Sequence, residues 1–132
     1  MGDSVFVELS LPYAEALDRV TDALMAEGFG VLTRADLHDA FAEKLGVSFR
    51  KYTILGACNP ALAFKALNAS PEVGLFLPCN VTVEEAGPSS SLVRFIDPAL
   101  IMGQASFGEL PAMQEVAKEA KQRLTRVAAA IR

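Results

Sequence analysis

The chain has 132 residues, 52% of them hydrophobic and 21% charged, with a formal net charge of -4. That length and apolar content suit one domain, residues 1–132, with a core of its own, and exclude a disordered chain. The acidic balance argues against a partner bound by neutralising a phosphate backbone, so no nucleic acid is expected; no apolar run approaches the roughly 20 residues needed to cross a bilayer, so no membrane is expected either.

The N-terminus lacks a positive segment followed by an apolar one, which predicts a soluble, cytoplasmic protein whose two cysteines are reduced thiols. Met1-Gly2 opens like a myristoylation signal, but Phe6 stands where that pattern requires Ser or Thr. Val5, Val7 and Leu9 alternate with Phe6, Glu8 and Ser10 and predict a first strand. Pro12 opens a helix in which Tyr13, Leu17, Val20 and Leu24 recur at helical spacing until Gly28 stops it. Residues 29–32 read as a second strand. Asp36 is placed to cap a short helix whose Leu37, Phe41 and Leu45 share one face before Gly46 ends it.

Alternation over residues 49–57 predicts a strand whose end delivers Cys58, after which Asn59 caps and Pro60 opens the next helix, to a break at Pro71. The apolar run 73–77 is interrupted by Gly74, and Pro78 delays strand pairing until about Cys79. Val81 and Val83 then alternate with Thr82 and Glu84, a turn over 87–91 follows, and residues 92–96 return as the other arm of a hairpin. Residues 99–108 carry no regular pattern and read as a lid, a crossing or a dimer contact. From Pro111, the residues Met113, Val116, Ala117, Ala120, Leu124, Val127 and Ile131 form one apolar stripe along a helix of about 20 residues that should lie across the sheet.

The stretch 54–81 holds both cysteines, each followed by an asparagine: Cys58-Asn59 and Cys79-Asn80. Cys58 precedes a helix, where unpaired N–H groups and the dipole lower a thiol pKa; the plainer reading is a small buried residue at a tight strand-to-helix turn. Cys79 has no such helix beside it. His38, the only histidine, reads as a solvated side chain rather than a base for either thiol. Four ligands for a closed zinc site are lacking, but two thiolates suffice for a soft ion such as Cu(I). Residues 103–108 have the outer spacing of a phosphate loop, with Glu109-Leu110 where Lys and Ser or Thr are required, and are discarded as such. Lys118, Lys121, Arg123 and Arg126 read as a solvated helix face.

These residues carry a resemblance. Segments 27–33, 44–52, 54–63 and 74–81, the last two holding the cysteine motifs, resemble the bacterial and archaeal domain-of-unknown-function family 302. The resemblance implies an α+β fold with a largely antiparallel sheet of about five strands, helices packed on one face, and frequent dimers; it implies no activity. Family members often carry a histidine where this chain has Phe64, so one polar neighbour of the thiols is missing.

Three functions follow as expectations. The first is a homodimer binding a small ligand or a soft metal ion where Cys58, Asn59, Cys79 and Asn80 converge, with Cys58 and Cys79 as the metal ligands. The second is a thiol-dependent enzyme or redox protein with Cys58 as nucleophile. The third is an interaction protein in which the motifs only pack. The homodimer rests on the apolar fraction and the run 73–77, which leave more hydrophobic surface than one helical layer covers, with the second sheet face as the place of contact. If the strands ending at Cys58 and starting at Cys79 run antiparallel, as the resemblance implies, both thiols lie at one edge within about 10 Å; if parallel, at opposite ends.

Overall fold

Strand alternation decides the architecture: on every strand but β2, the apolar side chains of one side are buried, while the other side is more exposed except at Glu84 of β4 and Gly56 of β3. The computed structural model describes residues 4–102 and 109–132. In chain order the elements are β1 (Ser4–Leu9), α1 (Tyr13–Ala26), β2 (Gly30–Asp36), α2 (Leu37–Leu45), β3 (Tyr52–Cys58), α3 (Pro60–Ala69), a 3-10 helix (Pro71–Phe76), β4 (Cys79–Gly87), β5 (Ser90–Ile96), α4 (Pro98–Met102) and α5 (Pro111–Ile131). The strands form one sheet in the order β1-β5-β4-β3-β2, antiparallel throughout. The fold is therefore α+β, with the expected five antiparallel strands.

Val7 and Leu9 of β1, Leu55 and Ala57 of β3, Val81 and Val83 of β4, and Val93 and Phe95 of β5 are buried in one cluster with Leu17, Val20 and Leu24 of α1 and Leu124, Val127 and Ile131 of α5. A second cluster, with Ala66, Val73, Met113, Val116 and Ala117, joins α3 and the 3-10 helix to the first half of α5. The α5 stripe is buried along its whole length, as its spacing predicts. Gly28 and Gly46 sit at φ 85° and 67°, so the two helices they follow end where only a glycine turns the chain cheaply.

Several expectations need correction. β2 runs to Asp36, well past residue 32, because it is an edge strand paired along its length with β3. Asp36 does not cap α2; its carboxylate accepts hydrogen bonds from Thr53 Oγ1 (2.7 Å) and Arg34 Nε (3.0 Å) instead. Burial works against that charge, yet these two hydrogen bonds outweigh it and hold the Asp36 pKa below its ordinary value. β3 starts at Tyr52, not at residue 49. His38 is not solvated: its side chain is 16% exposed, its ring meets Tyr13 edge to face, and its Nδ1 accepts from the Tyr52 N–H at 3.0 Å, which ties α2 to β3. Arg123 and Arg126 are also more than a solvated face. Arg123 donates to the Glu27 carbonyl oxygen (2.9 Å) and Arg126 pairs with the Glu27 carboxylate (2.9 Å), which pins α5 to the end of α1.

Part of the run 99–108 is α4; residues 103–108, with the discarded phosphate-loop spacing, and the Met1-Gly2 start lie outside the described residues. Among the described residues, no helix is long and apolar enough to cross a membrane.

Candidate functional site

β3 delivers Cys58 and β4 begins at Cys79, and the two strands are antiparallel neighbours in which Ala57 lies opposite Cys79. Cys58 therefore stands one residue beyond the Ala57–Cys79 pair, at the same end of the sheet. Both thiols are free and both line one cavity of about 30 Å³ between the sheet end, α3 and α5. Leu62, Ala63 and Ala66 of α3 and Val116 and Ala120 of α5 close it, so apart from the sulfurs and Asn59 its wall is hydrocarbon. Phe64 is 73% exposed and is not part of that wall.

Asn59 is committed locally. It is the N-cap of α3, with Oδ1 accepting from the Leu62 N–H at 3.2 Å, and it is buried. This is part of why Cys58 is not activated as its position suggests. Pro60 brings no N–H, Leu62 is satisfied by Asn59, and the Ala63 N–H is bonded to the Asn59 carbonyl, which leaves the Ala61 N–H of the first turn to favour a thiolate. Burial wins: it pushes the Cys58 thiol up from its ordinary value, and it pushes Cys79 up to about 11, with the neighbouring Cys58 adding to the shift. The order matches exposure, since Cys58 is half-buried and Cys79 buried.

Asn80 does not converge with the other three. It alternates away from Cys79, is exposed, and lines a separate depression with Leu75, Leu77, Pro78 and Ile96. His38 lies at the far end of β3, beside Tyr52, out of reach of either thiol. Among the described residues no group of three or more His, Cys, Asp or Glu side chains is placed to hold a metal ion.

The reading of the sequence missed one constellation. Glu84 on β4 is 4% exposed, yet it points to the sheet face that the helices leave uncovered, between Arg50 and Arg94. Burial alone would push its carboxyl up; hydrogen bonds from Arg94 and Arg50 prevail and hold it below its ordinary value. The sequence signal was the outward parity of Glu84 and Arg94 on the two arms of the hairpin, which makes them diagonal cross-strand neighbours.

The family model described as a domain of unknown function, DUF302, matches residues 5–131. The chain belongs to the DUF302 family. A crystal structure of an uncharacterized conserved DUF302 protein from Bacillus stearothermophilus is similar to this DUF302 chain over 100% of both chains, at 29% sequence identity and a TM-score of 0.86. No curated protein matches it. Membership in DUF302 bears out the resemblance drawn from the cysteine motifs and brings with it a fold, not an activity.

Proposed function

We propose that the chain binds a soft monovalent metal ion of the Cu(I) type between Cys58 and Cys79. The observation that supports this reading is that two thiols from neighbouring strands open onto one small, otherwise apolar cavity. Its volume of about 30 Å³ has room for an ion and little more. Cavities for organic ligands are commonly about 300–1,000 Å³ and carry several polar groups to orient the guest, so a small organic ligand is the weaker form of the proposal. Thiolates select Cu(I), and two of them satisfy its low coordination number without oxygen or nitrogen donors. The thiol-enzyme alternative is disfavoured because burial raises both thiols and, among the described residues, the one histidine lies at the far end of β3. A reducing, cytoplasmic setting belongs to the same proposal, since the thiols must stay free.

The test is an anaerobic titration with Cu(I) against a competing chelator. One ion per chain is expected, with affinity that rises with pH because binding displaces both thiol protons. Cys58→Ser and Cys79→Ser should each weaken binding by roughly a hundredfold or more, since oxygen is a poor ligand for this ion. Equal affinity in the wild type and Cys79→Ser would rule out the shared site.

Self-association into a homodimer is the second part of the proposal, at a different place from the sheet face. Phe64 (73% exposed), Leu67 (42%) and Leu75 (84%) are large apolar side chains facing solvent on α3 and the 3-10 helix. Leu67 Cδ2 lies 3.7 Å from where a Cβ on Gly74 would stand, so Leu67 borders the 3-10 helix, and Phe64 precedes Leu67 by about one helical turn. Val73, by contrast, is buried and contributes nothing to that surface. Light scattering should show a dimer at concentrations of about 10–100 μM, and Leu75→Glu should shift it to monomer. A wild-type monomer in that range counts against the interface.

A further inference from the structure

We propose that the uncovered sheet face binds a phosphate group at Arg50 and Arg94, with Glu84 as the residue that positions both guanidiniums. Glu84 divides its two oxygens: Oε2 accepts from Arg50 Nε at 2.5 Å and Oε1 accepts from Arg94. The outer side of each guanidinium is backed by a ring. Arg50 lies over Phe49 at 4.4 Å and Arg94 over Phe6 at 5.3 Å, contacts that favour the cation and fix its plane. Four parts of the chain therefore hold two flexible side chains in place: the segment leading into β3, then β4, β5 and β1.

Stability alone does not account for this arrangement. One buried carboxylate faces two cations, which leaves a surplus positive charge on a chain whose net charge is -4. Desolvating Glu84 is costly, and a buried ion pair is often no better for stability than apolar side chains of the same size. What the arrangement does provide is donors. A guanidinium has five N–H groups, and Glu84 engages one on each arginine. The Arg50 and Arg94 side chains are 52% and 37% exposed, so the remaining donors meet solvent, already oriented. Thr82, opposite Arg94 on β4, has a buried hydroxyl without a hydrogen-bond partner among the described residues, one more polar group in the same cross-strand row.

The donors left over by Glu84 select the ligand class. Because Glu84 sends one oxygen to each arginine, the guanidiniums stand on either side of it rather than forming one fork. A carboxylate can bridge two guanidiniums, as Glu84 does, but it brings two oxygens and a single charge; a phosphate brings four oxygens and more negative charge, so it accepts more of the donors that Glu84 leaves free and is the stronger partner for two arginines.

Inorganic phosphate is the probe, titrated at low ionic strength and followed by calorimetry and by backbone amide shifts. Saturable binding with a dissociation constant on the order of 1 mM is expected, with the largest shifts at Thr82, Glu84 and Arg94. Arg50→Lys and Arg94→Lys keep the charge but lose the planar fork, and each should raise that constant about tenfold without moving the thermal midpoint. No saturation by about 50 mM, wild-type affinity in both lysine variants, shifts confined to other residues, or acetate binding as tightly as phosphate would each overturn the proposal. The shift map on the wild type decides the matter even if a variant fails to fold.

Discussion

Replacing Arg50 and Arg94 together by glutamine is expected to lower stability by about 3–5 kcal/mol at neutral pH, because removing the partners of a buried charge leaves it uncompensated. Glu84 is 4% exposed and has no other cation within ion-pair distance among the described residues. The sign of the pH dependence should also reverse. In the wild type the folded pKa of Glu84 is held below the ordinary 4.5, so its contribution is present above that pH and is lost as pH falls through the folded value. With both arginines gone, burial acts alone and the folded pKa rises above 4.5. The variant is then stable with respect to this group below pH 4.5 and loses stability as pH rises through the raised value. Denaturant unfolding of both proteins between pH 3 and 8, roughly the span over which carboxylates change charge, checks this, and parallel curves would contradict it.

Gly56→Ala is expected to cost about 3 kcal/mol, the upper end for overpacking a filled site, and to disturb the cysteine end of the sheet. A Cβ on Gly56 would stand 2.1 Å from Thr33 Oγ1 and 2.6 Å from Pro78 Cγ. The hydroxyl can rotate, but the proline ring cannot turn away, so either β3 or the segment leading into β4 must move. Gly56 lies opposite Asn80, and the next pair along is Ala57 and Cys79, so the displacement falls on the wall of the thiol cavity. The measurable signature is a lowered thermal midpoint together with faster alkylation of Cys79 at fixed pH. An unchanged midpoint would mean that the strand ends are looser than their packing indicates.

The thiol site was partly legible because its determinants are local. Asn59-Pro60 is a helix start whatever surrounds it, and Cys58 has to fall at the junction of strand and helix. The state of the thiols was not legible. The cap and the proline that mark the helix start also take away donors that would have stabilised a thiolate, and burial by α5, more than 50 residues away in the sequence, decides the sign of the shift. His38 shows the same division: its helix was evident, but its partner is a backbone N–H on β3.

Composition, period and turn chemistry by themselves marked the strands, though not the ends of β2 and β3, the helices other than the 3-10 helix and α4, the cysteine junctions and the long buried stripe of α5, because each depends on residues a few positions apart. The register of the hairpin was left to tertiary structure. Two residues, Pro88 and Ser89, connect Gly87 to Ser90, and a regular ladder counted back from that pair sets Glu84 opposite Val93, on the core side. An irregularity between Glu85 and Gly87 shifts the ladder by one, so that Glu84 faces Leu92 and shares the open face with Arg94, while Val83 meets Val93 in the core. The turn chemistry does not mark that extra residue. It is fixed by the need of Val81, Val83, Val93 and Phe95 to be buried on the same side, beneath α1 and α5, and the buried carboxylate between two arginines is the result.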